Sequence, residues 1–294
     1  MTFSYDLAVA YRIYPKVARP ALGLPLSHDK LQLADACLRS FRESLGTLRV
    51  KLWVLLDACP PEYEEMLFRY FDREQLVLIP LQKTGNLGTF EQQIDILSNQ
   101  TDSELVYFAE DDYFYLPDQF RAMVDYLRAH DDVDFVTPYD HLDCYNLELH
   151  DYPKRLRVSA NRHWRTAGST CLTFLTSRRT LQQTAHVFRT YGLKNSDASL
   201  WLSLTKHGVW NPFTLSRYAI KNPWLAKIVV KAWLHGWRQI LFGERRHLWV
   251  PVPGIATHLD VNALSPSVDW RSLIEQQAST GFSGELIPAS SQKL

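Results

Sequence analysis

Short apolar runs alternate with stretches of helical period through the first half of the chain. Residues 6–13 (Asp-Leu-Ala-Val-Ala-Tyr-Arg-Ile) read as a buried strand, followed by a loop from Pro15 to Pro25. Leu31, Ala34, Leu38, Phe41 and Leu45 recur at helical spacing, and Gly46 supplies the stop. Val50–Leu56 reads as a second strand ending in Asp57. A helix opened by Pro60 and Pro61 runs to about Phe71, and Leu76–Pro80 is a third strand. A glycine-punctuated turn, Lys83-Thr84-Gly85-Asn86-Leu87-Gly88, precedes a helix expected from Thr89 to Leu97. Leu105–Ala109 is a strand running into Glu110-Asp111-Asp112. Pro117 is expected at the N1 position of the next helix, and Val133–Thr137 forms another strand. Strand and helix in strict alternation predict an α/β fold: a mostly parallel sheet with helices on both faces.

Composition narrows the class. The 294 residues, 46% hydrophobic and 22% charged, describe an ordered globular chain of about two domains. We expect one from 1–215 and a helical, Trp-rich extension from 216–294. Thirty-two basic residues balance thirty-two acidic ones, which argues against a general nucleic-acid binder. Cys37, Cys59, Cys144 and Cys171 lack metal-ligand spacing. With no signal-peptide pattern and no long apolar span, the expectation is a cytoplasmic protein with reduced thiols. Zero net charge hides an asymmetry, however. Fourteen acids and two bases lie between Asp102 and Asp151, whereas seven bases and one acid lie between Arg217 and His247.

In open α/β sheets, ligands sit beyond the carboxyl ends of the strands. Tyr11-Arg12, Asp57 and Glu110-Asp111-Asp112 all fall at such ends and form the first functional signal. Three adjacent carboxylates repel one another, so a fold that collects them usually adds a cation. Oxygen ligands at a strand end suit Mg²⁺ or Mn²⁺ together with substrate phosphates.

A first strand, an Asp after the second, an Asn-x-Gly turn and an acidic triplet ending a strand resemble the GT-A glycosyltransferases, family 2 type, over roughly residues 5–210. The resemblance implies a divalent metal on a nucleotide-sugar diphosphate, with a UDP-sugar favoured. Glu110, Asp111 and Asp112 would form the metal-binding triplet, with Asp112 the leading direct ligand. Asp57 would lie near the nucleotide base. Tyr11, Arg12, Lys83 and the Asn86-Leu87-Gly88 turn would flank the donor. The activity implied is inverting transfer of a sugar to a hydroxyl of a glycan or lipid-linked acceptor. That reaction needs a carboxylate base, which the resemblance implies at the start of a helix, after a strand that closes over the acceptor. Ala167–Phe174 is read as that strand and Asp197 as the base, with Asp140 and Asp143 in reserve. By the same resemblance, His258 would complete the metal shell.

The segment 223–246 predicts an amphipathic helix. Leu225, Ile228, Val229, Ala232, Trp233, Gly236, Ile240 and Leu241 mark its apolar face, and Lys227, Lys231, His235, Arg238 and Gln239 the other. A basic helix flanked by Trp suggests peripheral contact with the inner face of the plasma membrane. Two other functions fit less of the chain. A sugar nucleotidyltransferase usually carries a Gly-rich basic loop after the first strand, and Tyr11–Pro25 has one Gly. A catalytically silent, membrane-associated nucleotide-sugar-binding protein would keep the sheet and the basic helix alone.

Overall fold

The computed structural model describes residues 3–16 and 29–279. The loop expected up to Pro25 and the tail beyond Ser279 lie largely outside the described residues. In chain order the first elements are β1 (Leu7–Ile13), α1 (Lys30–Leu45), β2 (Val50–Asp57), α2 (Glu62–Phe68), β3 (Leu76–Leu81), α3 (Gly85–Asn99) and β4 (Leu105–Glu110). Next come β5 (Tyr113–Tyr115), α4 (Phe120–Ala129), β6 (Phe135–Val136), α5 (Asp143–Asn146), β7 (Leu156–Ser159), β8 (Arg162–Ala167), β9 (Phe174–Ser177), α6 (Arg178–Phe188) and α7 (Asp197–Thr205). The chain closes with α8 (Pro212–Lys221), α9 (Pro223–Phe242), β10 (Leu248–Val252), β11 (Ala256–His258) and α10 (Trp270–Ser279).

Among the described residues nine strands form one sheet in the order β3-β2-β1-β4-β9-β6-β10-β8-β7. Only β9 and β8 run against the others. The mostly parallel α/β sheet expected from the sequence is therefore present. Helices cover both faces, as β1 shows residue by residue. Leu7, Val9 and Tyr11 enter the core built with Leu38 and Phe41 of α1 and Met123 of α4. Ala8 and Ala10 enter the opposite core with Phe90 and Ile94 of α3 and Trp201 of α7. A strand buried on both sides has no polar face, which explains its continuous apolar run.

Several boundaries differ from expectation for local reasons. Helix α3 starts at Gly85 rather than Thr89, because the distant Asp57 carboxylate accepts the N–H groups of Thr84 and Gly85, each at 2.7 Å. Helix α4 starts at Phe120, not Pro117. Asp118 between them is left-handed (φ 56°), and its N–H donates to the Glu43 carbonyl. The segment read as a strand at 167–174 is instead the loop between β8, which ends at Ala167, and β9, which starts at Phe174. Helix α2 and strand β6 are shorter than predicted. The later segment is more than a helical extension: β10 lies between β6 and β8 inside the main sheet.

Helices α8 and α9 build a third core with α7, formed by Leu202, Tyr218, Leu225, Ile228, Val229, Ala232 and Ile240. Gly236 permits the close approach of α9 to α7, since a Cβ there would run into the Ser203 side chain. Among the described residues, no helix is long and apolar enough to cross a membrane.

Phe41 is fully buried, and its ring meets those of Tyr11, Tyr107, Tyr115 and Phe120 at centroid distances of 5.2–5.9 Å. Phe41→Ala should therefore cost about 3–5 kcal/mol. In urea unfolding this would lower the midpoint with an unchanged m-value. A loss under about 1 kcal/mol would mean that the aromatic cluster does not hold α1 on the sheet.

Candidate active site

Parallel pairing brings the carboxyl ends of β1, β2 and β4 to one rim. Arg12 lies opposite Glu110 in the β1–β4 register, and its guanidinium forms an ion pair with that carboxylate. The other Glu110 oxygen accepts the Thr173 hydroxyl at 2.8 Å, from the loop between β8 and β9. Asp111 accepts the Tyr14 N–H at 3.1 Å and pairs with Lys30 Nζ at 2.9 Å. Asp112 Oδ2 lies 3.1 Å from His258 Nε2. That contact closes 146 residues of sequence, because β11 pairs antiparallel with β5 and sets His258 opposite Tyr113. Each carboxylate of the triplet thus faces a basic side chain of its own, from β1, α1 and β11 in turn.

These groups line a cavity of about 510 Å³, within the range of small-molecule sites. Of the residues singled out from sequence, the cavity gathers Arg12, Asp57, Asn86, Glu110, Asp111, Asp112, Asp197 and His258. Asp57 does so while capping α3. The Asn86 carbonyl accepts from Arg12 at 3.3 Å, tying the first turn of α3 to β1. A somewhat larger cavity, about 580 Å³, lies against α8 beside Trp210 and Phe213; it holds none of these residues.

Three sequence candidates stand elsewhere. Tyr11 is fully buried against Phe41, because successive strand residues face opposite ways and Arg12 takes the rim side. Lys83 is exposed at a left-handed position (φ 55°) outside the cavity. Gly88 sits inside α3 against its own Thr84 and does not line the cavity. Of the reserve acids, Asp140 is buried in an ion pair with Arg165 and also accepts the Tyr145 hydroxyl. Asp143 is half-exposed.

Sequence reading missed Lys30, together with Tyr14, Lys16 and Asp260 of the cavity wall. Lys30 carried one usable signal. It is the first residue of α1, where the helix dipole disfavours a cation, and Asp111 offsets that placement.

Electrostatics follow from burial and pairing. Burial opposes charge on Asp112, but His258, Lys30 and Arg12 outweigh it and hold its pKa down at about 2. Burial likewise opposes the imidazolium of His258, and the Asp112 carboxylate overrides it, raising His258 to about 9. Asp197, the first residue of α7 after the Ser196 cap, moves the other way: burial, reinforced by the Glu110 charge, lifts it above the ordinary carboxylate value of 3.8. Its Oδ1 accepts the Ala198 N–H at 2.7 Å.

The donor set can be tested against a divalent cation. Asp112 Oδ1 is buried and makes no hydrogen bond, and Oδ2 faces an imidazole nitrogen. The open carboxylate oxygen is the kind of ligand that Mn²⁺ and Mg²⁺ take, and the imidazole beside it is a second potential donor. Glu110 and Asp111 have both oxygens engaged by protein groups. Among the described residues no group of three His, Cys, Asp or Glu side chains could hold a metal ion.

The His258–Asp112 pair has a defined pH dependence. His258, raised to about 9, stabilises the fold fully below its unfolded pKa near 6.5, and that contribution is lost as pH rises through about 9. Asp112, lowered to about 2, stabilises above its unfolded value and loses the contribution as pH falls through about 2. A histidine NMR titration of the metal-free protein should find His258 still protonated at pH 8 in the wild type. It should return toward ~6.5 in Asp112→Asn. A wild-type midpoint near 6.5 would mean that the pair does not form.

No family model matches the chain, and no curated protein matches it. Solved structures with a similar course include residues 1–349 of TarS from S. aureus, at 12% identity and a TM-score of 0.38, covering 83% of this chain and 57% of that one. Glucosyl-3-phosphoglycerate synthase from Mycobacterium tuberculosis, solved with Mn²⁺, UDP and glucosyl-3-phosphoglycerate, has 11% identity and a TM-score of 0.41, covering 69% and 66%. A cytidylyltransferase from Leptospira borgpetersenii has 10% identity and a TM-score of 0.34, covering 63% and 64%. The chain spans 62% of a mycobacterial protein that it matches at 12% identity. At these distances the likeness assigns no activity. The α/β arrangement that the GT-A resemblance implied rests on this chain's own sheet order and on the acidic end of β4.

Proposed function

We propose that the chain is a glycosyltransferase that moves a sugar from a nucleotide-sugar donor, favoured as a UDP-sugar, to a hydroxyl of a glycan or lipid-linked acceptor with inversion. The observation that carries this reading is the convergence of Arg12, the Glu110–Asp112 triplet, His258 and Asp197 on one cavity. A binding protein needs the cations and the cavity, but not a partly buried carboxylate whose pKa burial raises in the same cavity.

Each group has work suited to its environment. Arg12 and Lys30 place positive charge beside the rim where a diphosphate would lie, and Glu110 and Asp111 hold those side chains in place. Asp112 and His258 would hold Mn²⁺ or Mg²⁺, which supplies charge neutralisation for the departing diphosphate. Asp57 and the first turn of α3 would face the nucleoside. Asp197 would accept the acceptor hydroxyl's proton at Oδ2, since Oδ1 already takes the Ala198 N–H. As that proton moves, the hydroxyl oxygen bonds to the anomeric carbon. The bond from that carbon to the diphosphate oxygen breaks with its electron pair on the diphosphate. The raised pKa of Asp197 makes it a stronger base than an exposed carboxylate.

Two variants separate donor binding from chemistry. Asp197→Asn should lower sugar transfer or donor hydrolysis by about 10²–10⁴-fold and leave UDP affinity unchanged in calorimetry. In the wild type, activity should fall as pH drops through the raised Asp197 pKa, and the variant's residual rate should lack that limb. Activity of Asp197→Asn within a few-fold of wild type removes it as the base. Asp112→Asn should abolish Mn²⁺-dependent UDP binding, as should chelation of the metal by EDTA. Unchanged metal-dependent binding in Asp112→Asn would make the triplet purely structural.

A further inference from the structure

Helix α9 is amphipathic twice. Its inner arc, Leu225, Ile228, Val229, Ala232, Gly236 and Ile240, packs in the protein, and Gln239 joins that arc although the sequence placed it outside. Leu241, expected inside, is turned out. It completes a second apolar row of Val230, Leu234, Trp237 and Leu241, exposed by 52, 68, 44 and 44%. Their spacing of four, three and four residues makes a single stripe along the solvent side. Lys227, Lys231 and Arg238 form the adjoining row. The Arg238 guanidinium lies 5.2 Å from the Trp237 ring centre, and Phe242 packs edge-on to the same ring. Helix α8 continues the pattern with Phe213, Arg217 and Ile220 one turn apart, the two apolar side chains being the most exposed large ones among the described residues. From 212 to 243 there are five Lys or Arg and no acid.

We propose that the outer faces of α8 and α9 dock the protein on an anionic lipid surface, with both helices lying in the plane of the interface. Charge selects the occupant. Beside α8 the Glu148 carboxylate pairs with Arg217 at 3.5 Å, but α9 carries Lys227, Lys231 and Arg238 and no acid; a second copy would bring two such basic helices together, whereas anionic headgroups complement them. The composition suits an interface in depth as well. Aliphatic and aromatic side chains form the central row, with Trp224 and Trp237 able to sit at headgroup level, and the Lys and Arg beside them have stems long enough to reach the phosphates. The stripe from Val230 to Leu241 covers about 17 Å of the roughly 30 Å of α9. This docking is independent of the transferase reading, since no residue of the rim takes part.

Co-sedimentation of the full chain with vesicles tests it. Vesicles of equal parts phosphatidylglycerol and phosphatidylcholine should pull the protein down, and phosphatidylcholine alone should not. Each cation near an anionic surface is worth roughly fivefold in partitioning, so losing two costs about 25-fold, and the double reversal Lys227→Glu, Arg238→Glu should weaken binding by at least that factor. Leu234→Ser with Trp237→Ser, both on exposed positions, should lose binding without loss of helical circular dichroism. The control Arg39→Glu, Arg121→Glu, which makes the same charge change on α1 and α4, should bind as wild type. Three results overturn the proposal: equal recovery on neutral vesicles, equal loss in the control, or no vesicle binding by the wild type. Self-association of the wild type through this face in place of vesicle binding would assign the stripe to a second copy and likewise overturn it.

Discussion

Three adjacent carboxylates at the end of a buried strand cannot share a low-dielectric rim unless their charge is met, and here the protein meets it one for one. Arg12 answers Glu110, Lys30 answers Asp111 and His258 answers Asp112. Each partner comes from a different part of the chain, so the triplet fixes more than itself. It ties the register of β1 on β4, the start of α1 and the return of β11 after nearly all of the chain has been threaded. Removing one partner would leave a partly buried charge unanswered, which is costlier than the pair is worth as an attraction. The rest of the rim is built around that arrangement.

The three pairs are not equivalent. Arg12 and Thr173 occupy both oxygens of Glu110, and Lys30 and Tyr14 occupy both of Asp111. Asp112 alone keeps an oxygen without a partner, and its cation is an imidazole that can give up its proton. Two carboxylates therefore hold cationic side chains at the cavity rim. The third keeps an open oxygen beside a histidine.

Much of this was legible in the sequence, because burial writes itself into apolar runs. Strands β1, β2 and β4 and the polar residues at their ends could be read directly, and so could the convergence of Arg12, Asp57 and the triplet. Pairwise geometry could not. Tyr11 and Arg12 look equally placed as neighbours at a strand end, and only the side of the sheet each one faces separates them. The early start of α3 depends on Asp57, remote in sequence, so no local cap revealed it. Lys30 showed only the oddity of a cation at a helix start, and nothing local named Asp111 as its partner. The face of α9 was misread at Gln239 and Leu241 because two apolar stripes on one helix blur the single periodicity that a sequence pattern can report.

The claim that this rim holds a diphosphate through the available carboxylate and its histidine is most directly tested by diffraction from crystals grown with UDP and Mn²⁺, with data collected at the manganese edge. The account predicts one anomalous peak shared by Asp112 and His258 Nε2, next to the diphosphate, with the Arg12–Glu110 and Lys30–Asp111 pairs intact. UDP bound in the cavity with no such peak and the Asp112–His258 contact unbroken would contradict it.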